Sequence, residues 1–277
     1  MNDPRLTPFS GRVALDVMRP LPDGAQFTTG TPLRAGGAVA DLLRTPGGPR
    51  DRQVLRGAGL TMIDQRDGYS FVQLHADGYC GWLRDTALAP DHPVTHRVRS
   101  CATHLYSRPD LKSPETGALS MNAQLLITDQ DGAFLRASCG GWVPVQHLAT
   151  LDHPESDPVT VAQMLLGTPY LWGGNSSGGI DCSGLVQVAF HACGLPCPAD
   201  SDLQATAFGP ALPDGTSAQR GDLLFWRGHV ALVSDAETVL HANAHTMSVA
   251  YEGRCAALDR IAPDAPFVAH IRPPAGA

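Results

Sequence analysis

The sequence predicts a multidomain chain in which two small all-β barrels are followed by an α+β domain. Three observations carry this. The chain has 277 residues, nearly twice the usual domain size of about 100–150 residues. It holds 29 Gly and 23 Pro, a density of turn formers that favours short strands over long helices. A degenerate repeat in the N-terminal half then gives way to helices followed by strands. With 43% hydrophobic residues, there is enough apolar material to pack a core in each domain.

The repeat is read from two segments. Asp67-Gly68-Tyr69-Ser70-Phe71-Val72-Gln73-Leu74 precedes Gly81-Trp82-Leu83, and Asp131-Gly132-Ala133-Phe134-Leu135-Arg136-Ala137-Ser138 precedes Gly141-Trp142-Val143. In each, an alternating strand leads through a glycine-containing turn to Gly-Trp-aliphatic and a second strand, as in a small barrel. Residues 1–20 are expected to form an N-terminal arm, 21–92 the first barrel and 93–150 the second, with Trp82 and Trp142 in the barrel cores. Residues 151–158, with two prolines and no apolar periodicity, read as a linker. Asp157 and Pro158 suit the cap and first position of a helix over 159–166, stopped by Gly167. Asp181 caps a second helix, 182–193, closed by Gly194. Strand-like runs follow at 222–226, 229–235, 238–242 and 247–252, so 159–277 is expected to be an α+β domain.

The 20 basic and 27 acidic residues leave a net charge of −7. No Lys/Arg run supplies the basic footprint of a nucleic-acid or anionic-surface binder. No apolar stretch reaches the ~18 residues of a membrane span. The opening Met1-Asn2-Asp3-Pro4-Arg5-Leu6 lacks the basic and apolar regions of a secretory leader. Seven scattered Cys are an odd number and do not read as a disulfide framework. The expectation is a cytoplasmic protein with no nucleic-acid or membrane partner.

Cys182 stands apart from the other cysteines. It falls in the first turn of a predicted helix, where unpaired N–H groups and the dipole favour the thiolate a nucleophile needs. Small neighbours, Ser183 and Gly184, leave room for a substrate carbonyl, and the Cys182 N–H could meet an oxyanion. The bland alternative is a buried core cysteine. His229 and His241 lie in predicted strands. A three-residue loop at Asp235-Ala236-Glu237 would set His229 opposite Asn243 and diagonal to His241 on one face; a two-residue loop would separate them. Cysteine, base and a group orienting the base is the logic of a triad. Zinc on Cys182, His229 and His241 is the competing chemistry. Without a closely spaced ligand pair, no metal and no cofactor are expected. Cys193 and Cys197 read as packing.

Five stretches then carry a resemblance. Gly167-Thr168-Pro169-Tyr170-Leu171-Trp172-Gly173-Gly174 is followed by Gly179-Ile180-Asp181-Cys182-Ser183-Gly184-Leu185-Val186-Gln187. Arg220-Gly221-Asp222-Leu223-Leu224-Phe225-Trp226, Gly228-His229-Val230-Ala231-Leu232 and Leu240-His241-Ala242-Asn243 come next. Together they resemble the NlpC-type, papain-like cell-wall cysteine peptidases, and the barrels ahead of them resemble bacterial SH3-like domains. This arrangement is similar to the γ-D-glutamyl-L-diamino acid endopeptidases that recycle murein peptides.

The resemblance implies Cys182 as nucleophile, His229 as base and His241 as the residue orienting it. It places Tyr170 and Ser183 beside the oxyanion site, and Trp172 among the substrate-binding residues. It further implies an acidic pocket for a free N-terminal L-Ala, because an ammonium donates three hydrogen bonds and is costly to bury unpaired. Asp181, Asp200, Ser201 and Tyr79 match the family's positions for that pocket. Two departures stand out. Ala199 replaces the family's Arg, and residues 1–114 contain no Glu, so Asp51 is the nearest match to the acid the first barrel contributes. The expected partner is a murein tripeptide or tetrapeptide bound by a monomer. Alternatives are a hydrolase of intact peptidoglycan with wall-binding barrels, and a non-catalytic muropeptide-binding protein.

Overall fold

The computed structural model describes residues 3–19 and 24–274. The expected boundary between arm and first barrel, at residues 20 and 21, lies outside the described residues. The chain divides into two compact units, Met1–Leu151 and Asp152–Ala277.

In the first unit, seven strands between Thr31 and Pro90 form one sheet, in the order 50–55, 39–43, 80–84, 69–74, 59–66, 31–35 and 88–90. Its core joins Leu43, Ile63, Phe71, Cys80 and Trp82, and Val13 of the arm packs into the same cluster. The Gly of the first Gly-Trp pair is a close-approach position: a Cβ on Gly81 would lie 2.7 Å from Leu42 Cγ. A three-stranded and a five-stranded sheet between His96 and Thr150 build the second barrel. Its core gathers Val98, Leu119, Leu125, Val143 and Leu148. Trp142 is not in that core, contrary to the sequence reading. It is half-buried, with the Arg136 guanidinium 5.8 Å from its ring centroid, whereas Trp82 is buried.

The second unit opens with α1, Pro158–Gln163, where Asp157 accepts a bond from the Val159 N–H at 3.0 Å. The helix ends three residues before the expected 166. Met164, Leu165 and Leu166 bond three residues back, to Val161, Ala162 and Gln163, so the last turn tightens into 3₁₀ geometry. The central helix α2, Cys182–Ala192, has ten of its eleven residues buried. An almost all-round apolar helix must be enclosed, and α2 packs on the sheet that follows.

That sheet contains β1 (Leu223–Trp226), β2 (His229–Val233), β3 (Thr238–Asn243), β4 (Ser248–Gly253) and β5 (Phe267–Ile271), antiparallel in the order β4-β3-β2-β1-β5. A two-stranded sheet pairing 175–176 with 179–180 and helices α3 (Ser201–Ala207) and α4 (Arg254–Ile261) complete the unit. The sequence reading contains neither of these helices nor β5. β1 begins one residue later than expected because the buried Asp222 closes a turn, accepting from the Gln219 N–H, from Arg272 and at a ring nitrogen of His270.

Candidate active site

Cys182 begins α2, and Asp181 caps it. Asp181 Oδ1 accepts from the Gly184 N–H at 2.7 Å and the Ser183 hydroxyl at 3.1 Å, while Oδ2 accepts from the Gly173 N–H at 2.8 Å. The room expected at Gly184 is not left for substrate. A Cβ there would sit 2.4 Å from the Gly174 carbonyl oxygen, so glycine lets the 173–174 backbone pass against the helix.

The backbone N–H groups of Val230, Ser183 and Cys182 face the sulfur and favour the thiolate. Burial, joined by the neighbouring charge of Asp181, outweighs them and pushes the thiol up to about 12. This corrects the expectation of a thiolate preformed by the helix end. The residue that caps the helix brings a negative charge to the cysteine.

The two histidines come from the β2–β3 hairpin. Leu232 pairs with Leu240 and Val233 with Val239, the register of the three-residue loop. His229 Nε2 lies 2.9 Å from His241 Nδ1. Burial, aided by the repulsion between the two rings, holds His229 down at about 3, and burial holds His241 down at about 4. Both shifts favour the uncharged forms, a thiol at Cys182 and a neutral imidazole at His229.

Behind His241 stand two residues the sequence reading did not single out. Glu252 Oε2 lies 3.0 Å from His241 Nε2, and Arg260 of α4 donates to both Glu252 oxygens at 2.8 and 2.7 Å. Glu252 sits opposite Val239 while His241 sits opposite Ala250, so carboxylate and ring are diagonal neighbours on one face. The signal was available only through the β3–β4 register.

Tyr170 is half-buried. Burial, then the charges of Cys182 and Asp181, push its hydroxyl well above the ordinary phenol range, so it stays a donor beside the sulfur. Burial and the nearby charge of Asp200 push Asp181 upward, which puts these two carboxylates in one neighbourhood. Asp200 precedes α3 and makes no side-chain capping bond to it. The loop that carries Asp200 and Ser201 is pinned to α2. Gln187 Nε2 donates to the Cys197 carbonyl at 2.9 Å, and the fully buried Gln204 donates to the Ser183 and Pro198 carbonyls at 2.9 and 3.0 Å. Trp172 is 69% exposed.

In the first unit, Tyr79 is buried beside an Arg52–Asp77 ion pair, with the guanidinium 5.3 Å from its ring centroid. Asp51 already holds a cation: its Oδ1 accepts from Arg44 at 2.6 and 3.0 Å. Among the described residues, no group of three His, Cys, Asp or Glu side chains is arranged to hold a metal ion. Both nitrogens of His241 are committed to other partners.

The NlpC/P60 family matches residues 167–256, and the bacterial dipeptidyl-peptidase SH3 domain matches residues 42–88. A gamma-D-glutamyl-L-lysine dipeptidyl-peptidase of Bacillus cereus is 26% identical over 234 residues, which are 72% of this chain and 69% of that protein. The protein of the same name from Bacillus subtilis is 32% identical over 187 residues, 60% of each chain. A crystal structure of an NlpC/P60 family protein from Bacillus cereus shares the fold, with a TM-score of 0.73 at 21% identity over 87% of this chain and 99% of that one. The architecture is thus SH3-like β domains followed by a papain-like domain.

Proposed function

Because residues 167–256 are an NlpC/P60 cysteine peptidase domain, we propose that the chain hydrolyses the γ-D-glutamyl-L-diamino acid amide of short peptides released from peptidoglycan. The observation that carries this reading is the His229–His241 pair, 2.9 Å apart, on a strand whose next residue, Val230, turns its N–H to the Cys182 sulfur at the head of α2. His229 Nδ1 takes the thiol proton as the sulfur attacks the amide carbonyl, because no standing thiolate is available. The oxyanion is met by the Cys182 N–H and the Tyr170 hydroxyl. His229 then passes the proton to the departing amine, the C–N bond breaks, and the acyl group remains as a thioester. Water attacks that thioester, giving one proton to His229, and the thiol recovers it as L-Ala-D-Glu leaves.

The finer specificity rests on charge. Burial, with the nearby charge of Asp200, raises the cost of ionising Asp181, and a substrate ammonium beside it would relieve that cost. This supports recognition of a free N-terminal L-Ala, and with it a recycling role on unlinked peptides. Asp51, held by Arg44, is left out of the proposed pocket. Cytoplasmic action is part of the proposal. It is supported by the odd number and scattered spacing of the seven cysteines, which do not form a secreted disulfide framework. The curated relatives named above carry L-lysine in their names. The third residue here is therefore proposed as L-Lys or meso-diaminopimelate.

The test is mass spectrometry of the protein with L-Ala-γ-D-Glu-L-Lys, its meso-diaminopimelate counterpart, and the N-acetylated form of each. Release of the free diamino acid from unblocked peptides alone is expected. Cleavage of blocked peptides at the same rate would discard the amine pocket, and no cleavage of any would overturn the peptidase reading.

A further inference from the structure

We infer that Glu252 is a positioning residue that sets the tautomers of two histidines in series, so that the nitrogen of His229 left for the thiol is an acceptor. The inference rests on the peptidase reading above only in naming what that nitrogen is used for.

The argument is one of donors and acceptors. A carboxylate only accepts, so the His241 nitrogen 3.0 Å from Glu252 Oε2, Nε2, must carry the hydrogen. In a neutral ring the other nitrogen, Nδ1, is then an acceptor. His229 Nε2, 2.9 Å from it, must in turn be the donor. The proton count of a neutral imidazole leaves His229 Nδ1 bare.

Arg260 completes the device. Its guanidinium on both oxygens holds Glu252 well below the usual carboxylate range, so Glu252 stays an acceptor and does not take the proton itself. When His229 becomes an imidazolium, its Nε2–H already points at His241 Nδ1, and the glutamate charge lies one ring further on. The other charged or titratable groups acting on this line are His245, on the β3–β4 loop near His241, and Asp264, beyond α4 near Arg260. Without Glu252, nothing in this line distinguishes the two neutral tautomers of His241. The pair could then run in the opposite sense, with His229 Nδ1 protonated and unable to act as a base.

The test uses the full chain carrying Cys182→Ala, with ¹⁵N-labelled histidine and two-bond ¹H–¹⁵N correlation at pH 7. His229 is expected to show an unprotonated Nδ1 and a protonated Nε2. Adding Glu252→Ala should convert both rings to mixed or inverted tautomers, and Glu252→Asp should restore the original pattern. In the protein with Cys182 intact, Glu252→Ala should lower kcat about 10- to 100-fold, as loss of the carboxylate that orients a metal-bound histidine does. KM should change less than about twofold, and Glu252→Asp should recover most of the loss. A protonated His229 Nδ1 in the parent, or tautomers unchanged by Glu252→Ala, would overturn the inference. The tautomer readout needs no turnover, so it stands or falls separately from the cleavage test of the proposed function.

Discussion

Asp181 holds the Gly184 N–H at 2.7 Å and so begins the helix whose first residue, Cys182, it makes harder to ionise. Helix capping and nucleophile activation oppose each other at adjacent residues. In the proposed mechanism the thiol stays neutral and His229 removes its proton during attack.

Asp181→Asn separates the two effects. Asparagine still caps, but its amide nitrogen cannot accept from the Gly173 N–H that Oδ2 now serves. Stability should fall by roughly 1 kcal/mol, read by urea unfolding. The Cys182 thiol should titrate lower, and its alkylation by iodoacetamide at pH 8 should speed up. An unchanged alkylation rate would mean that the Asp181 charge does not reach the sulfur.

The pH dependence follows from the same burial. His229 and His241 titrate in the fold at about 3 and about 4, below their ordinary 6.5. The acid limb of kcat/KM should therefore lie below pH 5. A histidine whose folded value is depressed binds its proton more readily when unfolded. Its contribution to stability is therefore present above about 6.5 and lost as pH falls towards the folded value. Tm measured from pH 7 to 4 should drop, and the drop should shrink in His241→Gln. A Tm that is flat over this range would contradict the buried neutral pair.

Gln204→Leu tests how the loop bearing Asp200 and Ser201 is held. The substitution removes the donor that serves the Ser183 and Pro198 carbonyls inside a fully buried site. Leaving them unpaired should cost about 1–3 kcal/mol in chemical denaturation. KM for the unblocked peptide should rise more than kcat falls, since the nucleophile and base remain in place. Equal loss in both would mean that the loop does not position the substrate.

Much of the second unit could be read along the chain because its signals are local. The caps Asp157 and Asp181 act within three residues of themselves. The loop at 235–237 is short enough that its length alone brings His229 to His241, given which register it adopts. Glu252 and Arg260 could not be read in this way. One depends on the register across the β3–β4 turn, and the other on a helix absent from the sequence reading. Trp142 shows the limit of a repeat: the motif recurs, but burial depends on what the rest of the barrel places over the ring.

The order of residues therefore determines which elements form and which side chains carry the chemistry, since capping, turn length and motif spacing act over a few residues. The charge state of those side chains is settled by the fold. The thiol is raised chiefly by burial, to which the adjacent Asp181 adds its charge, and the imidazoles are lowered chiefly by enclosure. Desolvation is a property of everything packed around a group, and most of what encloses Cys182, His229 and His241 is distant from them in the chain.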